Sequence, residues 1–389
     1  MGNWDELQYD LVVLVAKRIG LLEDFLAFGG VCRSWRSAAA KENFKGRPQV
    51  PWLMLPEEEE EEEKKSDERR FVSLTKGGMI RRFDVPEAKG KRCVETLGWF
   101  VTMSEQGEMS LIHPMSRVKI DLPHHNTFKY AYEDGEEDKR IYLQKAVLSS
   151  CPSSTDDYVL VVICSAISWL SFWRPGDKLW TTIETREGVY YDVTYFKGQF
   201  YGVNPSGQVF RCGVGGPDPT LAWLVGEIPS ETLGGKRTYL VELSGRLLVV
   251  VRDGCDLEFL PGYVDDDDDT DSIIKDESTV KYGATEFQLF EVDINRNWTW
   301  AQITTLGDYA LLLGDHASMA LDVSKFVGVK PNCIYYTDDN WEAYHHLKRG
   351  GGKDMGIYNL EDQTQMPHYN GKECLSRVSP PIWVTPSFF

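Results

Sequence analysis

From residue 71 onward the chain keeps returning to one phrase: a short apolar strand, a turn marked by Gly, and a second apolar strand. It occurs at Trp99–Ile112, Tyr195–Tyr201, Tyr201–Arg211 and Tyr239–Val251. A second phrase, a Trp-bearing strand that closes on Ile, occurs at Leu179–Ile183, Ala222–Ile228 and Trp298–Ile303. Turn signals such as Gln106-Gly107, Pro175-Gly176, Lys197-Gly198 and Ser244-Gly245 recur about every ten residues, an all-β spacing. A small hairpin sheet hides its two faces only against neighbours like itself, so such units come in rings or stacks. At roughly 40–50 residues per unit, residues 48–389 make a β-propeller-like domain of about six or seven blades. Six is the favoured count, because the runs Glu57–Glu63 and Asp265–Asp269 look like insertions. A β-sandwich or two stacked β-domains is the alternative. Aromatic residues make up 12% of the chain, with 12 Trp, 18 Tyr and 17 Phe, and these suit half-buried sheet faces.

Residues 7–44 break that rhythm. Leu7, Leu11, Leu14/Val15 and Ile19 recur three or four apart, as one face of a helix does. After Gly20 a second segment begins, with Asp24 placed to cap or open it, and Gly29-Gly30 ends it. A third run carries Val31, Trp35 and Ala38/Ala39. Pro48 and Pro51 then stop helical structure, and Trp52–Leu55 reads as a first strand. So short a unit cannot bury Leu7, Leu11, Leu14, Ile19, Leu22, Phe28, Val31 and Trp35 by itself. They either pack on the β-domain as a cap or remain for a partner. The layout is therefore a helical module at 1–46, a linker with a first strand and an acidic loop at 47–70, and the propeller-like domain at 71–389.

Charge and motif content exclude several classes. With 42 Lys+Arg against 60 Asp+Glu the net charge is −18. Such a field repels nucleic acid and anionic membranes and suits a partner with a basic patch. The longest apolar stretch, Tyr158–Trp173, is interrupted by Cys164, Ser165 and Ser168 and is too short to span a bilayer. No secretory signal is visible. The 8 cysteines have no CxxC pair and read as reduced, buried thiols of an intracellular protein, nuclear or cytoplasmic. HExxH, GxSxG and P-loop patterns are absent. His124-His125 and His345-His346, read as strand residues, point to opposite faces and make no metal site. Arg349-Gly350-Gly351-Gly352-Lys353-Asp354 lacks the end of a phosphate loop and reads as a hairpin loop. Asp338-Asp339-Asn340 reads as a turn with solvated carboxylates. The expectation is no catalytic residue, no metal and no cofactor.

Val31-Cys32-Arg33-Ser34-Trp35-Arg36, preceded by Asp10-Leu11 and Ile19, resembles an F-box. That resemblance implies a module that binds a Skp-type adaptor and, through it, the cullin and RING subunits of an SCF ubiquitin ligase. The implied adaptor-binding residues are Leu7, Leu11, Leu14, Ile19, Val31, Cys32 and Trp35. One position departs: Gln8 stands where the family usually has Pro, which pre-sets a first helical turn. Tyr191–Tyr201, Tyr239–Glu242, Leu306-Gly307-Asp308, Pro331–Asp338, Asp354–Glu361 and Pro380–Trp383 are similar to the C-terminal propeller-like domain of a plant F-box family of kink-suppressor and SKIP type. Together they imply a non-catalytic substrate-recognition subunit that recruits a protein for ubiquitination. Two other readings stand beside it: an SCF-independent scaffold or inhibitor of a partner such as a kinase, for which Gln8 speaks, and a propeller hydrolase, which requires clustered acids or histidines at the central channel.

Overall fold

The structure, a computed structural model, describes residues 7–45, 48–57, 68–75, 78–129, 132–133, 136–137, 143–164, 168–183, 188–214, 220–229, 231, 233–259, 274, 277–294, 299–369, 374–376 and 380–387. Glu58–Glu63 and the whole Asp265–Asp269 run lie outside them. The chain is mainly β, a six-bladed propeller preceded by a small helical module.

The first four blades follow one rule. Each starts with an inner strand, and successive antiparallel strands then step outward. The first blade is Arg92–Thr96, Trp99–Met103, Met109–Ile112 and Lys119–Asp121. The second is Leu143–Leu148, Leu160–Cys164, Trp169–Trp173 and Thr181–Thr182; the third is Asp192–Phe196, Gln199–Val203, Gln208–Cys212 and Ala222–Glu227. The fourth is Arg237–Leu243, Arg246–Arg252, Phe287–Asp293 and Thr299–Ile303. Two of the Gly-turn phrases, Tyr195–Tyr201 and Tyr239–Val251, are inner hairpins, and Trp99–Ile112 and Tyr201–Arg211 join the second and third strands of their blades. Leu97-Gly98, Lys197-Gly198 and Ser244-Gly245 each hold two successive positive φ values, the requirement of a two-residue turn whose twist matches its strands. The Trp-to-Ile phrases mark the outer strands. Trp223 and Trp300 are partly solvent-facing there, whereas Trp180 stacks on Phe128 at 5.0 Å.

The fifth blade inverts the first step. Its inner strand is Ala317–Asp322, which comes second in the chain. Tyr309–Gly314 lies outside it, antiparallel to it and parallel to Cys333–Tyr336. Gly356–Asn359 and Gln365–Met366 complete this sheet. A short helix, Trp341–His346, sits between Cys333–Tyr336 and Gly356–Asn359. The sequence reading expected no helix after Phe71. This one has 6 residues, too few to show a repeat, and is started by the Asn340 side chain accepting the Ala343 N–H at 2.9 Å.

The ring closes with strands from both ends of the chain. Ile382–Val384 is the inner strand of the closing blade, followed outward by Trp52–Met54, Glu68–Ser73 and Ile80–Asp84. Leu53 pairs with Trp383. Trp383 is fully buried and its indole N–H donates to the Leu313 carbonyl at 3.2 Å, tying the closing blade to the fifth. Apolar layers fill the seams between blades: Val101, Leu111, Leu160 and Val162 share one, and Val250, Leu289, Leu311 and Ile334 another. All 8 cysteines are free thiols, and Cys93, Cys164, Cys212, Cys255, Cys333 and Cys374 are buried, in line with the apolar runs that carry them.

Three helices form the module: α1 (Tyr9–Ala16), α2 (Leu22–Gly29) and α3 (Arg33–Ala38). Asp24 lies in the first turn of α2 but does not cap it, since the N-cap is Leu21. The module seats on the closing blade. Gln49 receives the Leu22 N–H at 2.7 Å and donates to the Gly20 carbonyl at 2.9 Å. Glu23 is buried and accepts the Thr75 hydroxyl at 2.7 Å, with the Arg81 guanidinium 3.9 Å from its other oxygen. Leu26 packs into the apolar cluster of that blade.

Candidate functional site

The module sorts its apolar residues onto two faces. Val12, Ala16, Phe25, Phe28 and Ala38 make a buried centre. Phe28 lies 4.6 Å from Trp35 and Phe25 lies 5.0 Å from Phe44, ring to ring. Leu7, Ile19 and Trp35 are half-buried against that centre. Cys32 is half-buried at the N-cap of α3. The other face is bare: Leu11 is 46%, Leu14 47% and Val31 57% exposed. Tyr9 and Val15 join it. Positions 11, 14 and 15 are one helical stripe and 12 and 16 the opposite one, as the 3.6-residue period dictates. Of the seven residues implied to bind an adaptor, three therefore stand on the open face and four support it. Tyr9, 50% exposed at the start of α1, was not singled out from the sequence, because it does not share the period of positions 11, 14 and 15.

Gln8 is the N-cap of α1 with φ −58° and ψ 138°, and its side chain makes no capping bond. That φ is already the value a proline ring imposes. Gln8→Pro is therefore expected to raise stability by about 0.4–1 kcal/mol through the unfolded state. Thermal unfolding of the two proteins checks this; a lower midpoint for the variant would refute the fit.

The channel is polar and ringed by the inner strands. Lys145 is buried with Asp192, Nζ to Oδ1 2.8 Å, and its ammonium also donates to Ser318 at 2.9 Å. The Ser318 hydroxyl donates to Asp192 at 2.5 Å. Arg237 and Arg92 approach Asp315 at 2.5 and 4.0 Å, joining the first, fourth and fifth blades. Ser318 is thus held by both Asp192 and Lys145, and His316, the histidine of this group, turns away from it, its Nδ1 lying 2.8 Å from the Gln144 carbonyl. Among the described residues no His, Cys, Asp and Glu grouping could hold a metal ion. His125 opens a 3-10 turn and His346 ends the short helix, so neither pair lies on a strand as expected.

Glu95 of this channel is 4% exposed, and burial pushes its carboxyl up to about 7 against the hydrogen bonds of Gly98 and Thr385. A carboxylate whose folded value is raised loses stability as pH climbs from the unfolded to the folded value. Each unit is worth about 1.4 kcal/mol. Glu95→Gln, which keeps the acceptor for both N–H groups, is therefore expected to gain roughly 2–3 kcal/mol on the wild type between pH 4.5 and pH 8. Urea titrations across that range read it, and a pH-independent difference would contradict it.

Two acidic readings from sequence are corrected. Asp338, Asp339 and Asn340 are buried, not solvated. The Gly-rich stretch after them serves Asp338: Gly352, Lys353 and Asp354 aim their N–H groups at its Oδ2, at 2.6, 2.9 and 3.3 Å, and Tyr282 adds its hydroxyl at 2.7 Å. The anion cradled there is the chain's own carboxylate. The cation is Arg252, fully buried, 3.0 Å from Asp339 and 2.5 Å from Asp354. Tyr239 donates to Asp339, and Arg252 lies 4.7 Å above the Tyr336 ring. This group locks the fourth blade to the fifth. Nothing in it is open to a ligand.

The chain is a six-bladed propeller closed by its last strand and headed by a three-helix module with an open apolar face. The propeller matches the model of the KIB1-4 beta-propeller family over residues 71–359, and the chain belongs to that family. It is 24% identical to F-box protein SKIP23 of Arabidopsis thaliana over 99% of this chain and 96% of that protein. It is likewise 24% identical to the F-box/kelch-repeat protein KIB1 of the same plant, over 87% of this chain and 78% of the relative. Among solved structures, YCF48 from Cyanidioschyzon merolae aligns with 61% of this chain and 69% of its own, at 13% identity and a TM-score of 0.32. Both relatives are named as F-box proteins, the family that the VCRSWR stretch resembles. Among the described residues no helix is long and apolar enough to cross a membrane.

Proposed function

We propose that this chain is the substrate-recognition subunit of an SCF-type ubiquitin ligase. In this reading the module docks a Skp-type adaptor and, through it, cullin and RING subunits, while the propeller holds a protein substrate. The observation that carries it is the open stripe of Leu11, Leu14 and Val31 on a module whose opposite face is already buried. The relatives named as F-box proteins over nearly the whole chain support it. The chain then needs no catalytic group, because ubiquitin transfer happens on other subunits, and a nuclear or cytoplasmic place follows from the partners. Co-purification of the full chain with a Skp-type adaptor tests the reading, and failure to bind overturns it. The second reading, a scaffold or inhibitor that acts without the ligase, draws on Gln8 at the start of α1. It would be favoured if the chain held a partner such as a kinase but no adaptor.

A further inference from the structure

The channel mouth holds a cavity of about 340 Å³ that no role of the helical module uses. It runs from the exposed Glu242 and Leu97 to the buried Lys145 and His316. Its composition follows from the repeated inner turn. In the first, third and fourth blades the residue three places before the turn glycine faces this cavity: Glu95, Tyr195 and Glu242. In two of them the carboxylate is held by the turn itself, Glu95 by the Gly98 N–H at 2.8 Å and Glu242 by the Gly245 N–H at 2.7 Å.

The hydrogen-bond account of the lining is one-sided. One Glu95 oxygen takes Gly98 and Thr385, and the other takes no donor among the described residues although the side chain is more than nine-tenths buried. His316 is 3% exposed and its Nε2 has no partner among the described residues. Its Nδ1 faces a backbone carbonyl, which can only accept, so Nδ1 carries the proton and Nε2 is a bare acceptor. Burial keeps that ring neutral by pulling its pKa well below the usual range. Lys145 is the one cation of the lining, and it is already matched by Asp192 and Ser318. Neither Glu95 nor Glu242 has a direct ion pair among the described residues, although the charge of Lys145 acts on Glu95. Around these acceptors stand Leu97, Val147 and Met319. Beside the hydroxyls of Thr194 and Tyr195 and the paired Lys145, the site thus keeps unmatched acceptors and offers an apolar wall to a donor that fills them.

We infer that the channel mouth is a receptor for a cationic hydrogen-bond donor on an aliphatic stem, such as the lysine side chain of a partner protein or a free alkylamine. The ammonium lies against Glu95, with Glu242 as the second acid, and the stem lies on Leu97 and Met319. The inference is independent of the module, since it holds whether or not an adaptor docks there.

The test uses the full chain and titrates n-butylammonium, n-butanol, butyrate and the capped peptide acetyl-Gly-Lys-Gly-amide by calorimetry and saturation-transfer NMR. Butylammonium is expected to bind with a Kd on the order of millimolar, the range open to so small a ligand, and butanol and butyrate about tenfold more weakly or not at all. Lys145, Glu242 and the neutral His316 line the cavity with Glu95, and burial raises the Glu95 carboxyl to about 7. A cation favours its ionised form, so binding should tighten about five- to tenfold from pH 6 to pH 8. Glu95→Gln should weaken binding about tenfold and abolish that pH dependence, and the surface variant Glu242→Gln should weaken it two- to threefold. Binding of the capped peptide as tight as that of butylammonium assigns a protein side chain, and binding of the free amine alone assigns a small amine; both uphold the receptor. Butyrate binding as well as butylammonium, or wild-type binding that ignores pH together with no effect of Glu95→Gln, overturns it.

Discussion

Arg252→Met is expected to destabilise the propeller by about 3–5 kcal/mol, the usual result of removing one partner from a buried ionic group. The guanidinium is wholly enclosed and donates to Asp339, to the Thr337 carbonyl at 2.9 Å and to both the carbonyl and the carboxylate of Asp354. Methionine fills a similar volume but leaves Asp339 and Asp354 without their cation in a medium that solvates charge poorly. Asp354 would keep the Ala284 N–H at 3.0 Å, and Asp339 the Tyr239 hydroxyl, which is not enough to hold two ionised carboxylates. Arg252→Lys keeps the charge but not the two-pronged geometry, and should fall between. The decisive measurement is a cycle with Asp354→Asn. If the loss arises from stranded charge, the double variant is more stable than the sum of the single losses. A loss below about 1 kcal/mol for Arg252→Met, within the range of an ordinary surface change, would show that this group is not what joins the two blades.

The second large effect concerns binding and leaves the fold intact. Val31→Asp combined with Leu14→Asp is expected to weaken adaptor affinity at least about a hundredfold, equal to roughly 2.7 kcal/mol. Both side chains are about half exposed in the free chain, so a charge there meets water and changes stability by no more than about 0.5 kcal/mol. In an apolar interface the same charges lose their hydration. Phe25→Ala is the contrast: it hollows the module centre, where Phe25 is fully buried, and should lose about 3–5 kcal/mol. Binding assays on folded protein, checked by circular dichroism, separate the two. Unchanged affinity in the double aspartate variant would remove the open face from consideration as the docking surface.

Local features of this chain were legible and distant ones were not. Strand and turn spacing brought the blade count to six or seven, because a two-residue turn with Gly at its second position is a local event, and six was favoured by taking the acidic runs as insertions. The apolar stripe of α1 was legible from helical period, but not that Leu11, Leu14 and Val15 would stay open while Leu7 and Ile19 pack on the module centre. Asp339 was misread because its partners Arg252 and Tyr239 lie 87 and 100 residues earlier in the chain, and Asp338 because Tyr282 lies 56 residues earlier and its backbone donors 14 to 16 residues later. The swap in the fifth blade was likewise invisible: nothing near Tyr309–Gly314 announces a parallel partner at Cys333–Tyr336. The channel acids were named by no motif. Glu95 and Glu242 become neighbours only when inner strands of different blades converge on one cavity, although the shared Glu-x-x-Gly spacing before the turn is a signal that could have singled them out.

The closing blade also dictates an order of events on the ribosome. Trp52–Met54 waits for a partner, Ile382–Val384, made some 330 residues later, which at about 5–20 residues per second takes tens of seconds. Throughout that interval the ring is an open arc with one strand edge unpaired, exposed to chaperones and proteases. The module at residues 7–44 draws its centre from its own three helices and can fold and meet its partner within the first seconds. A nascent chain could therefore be bound at its head long before it has anything to recognise with, and truncation before Ile382 would yield a product that engages the partner while presenting an unclosed ring.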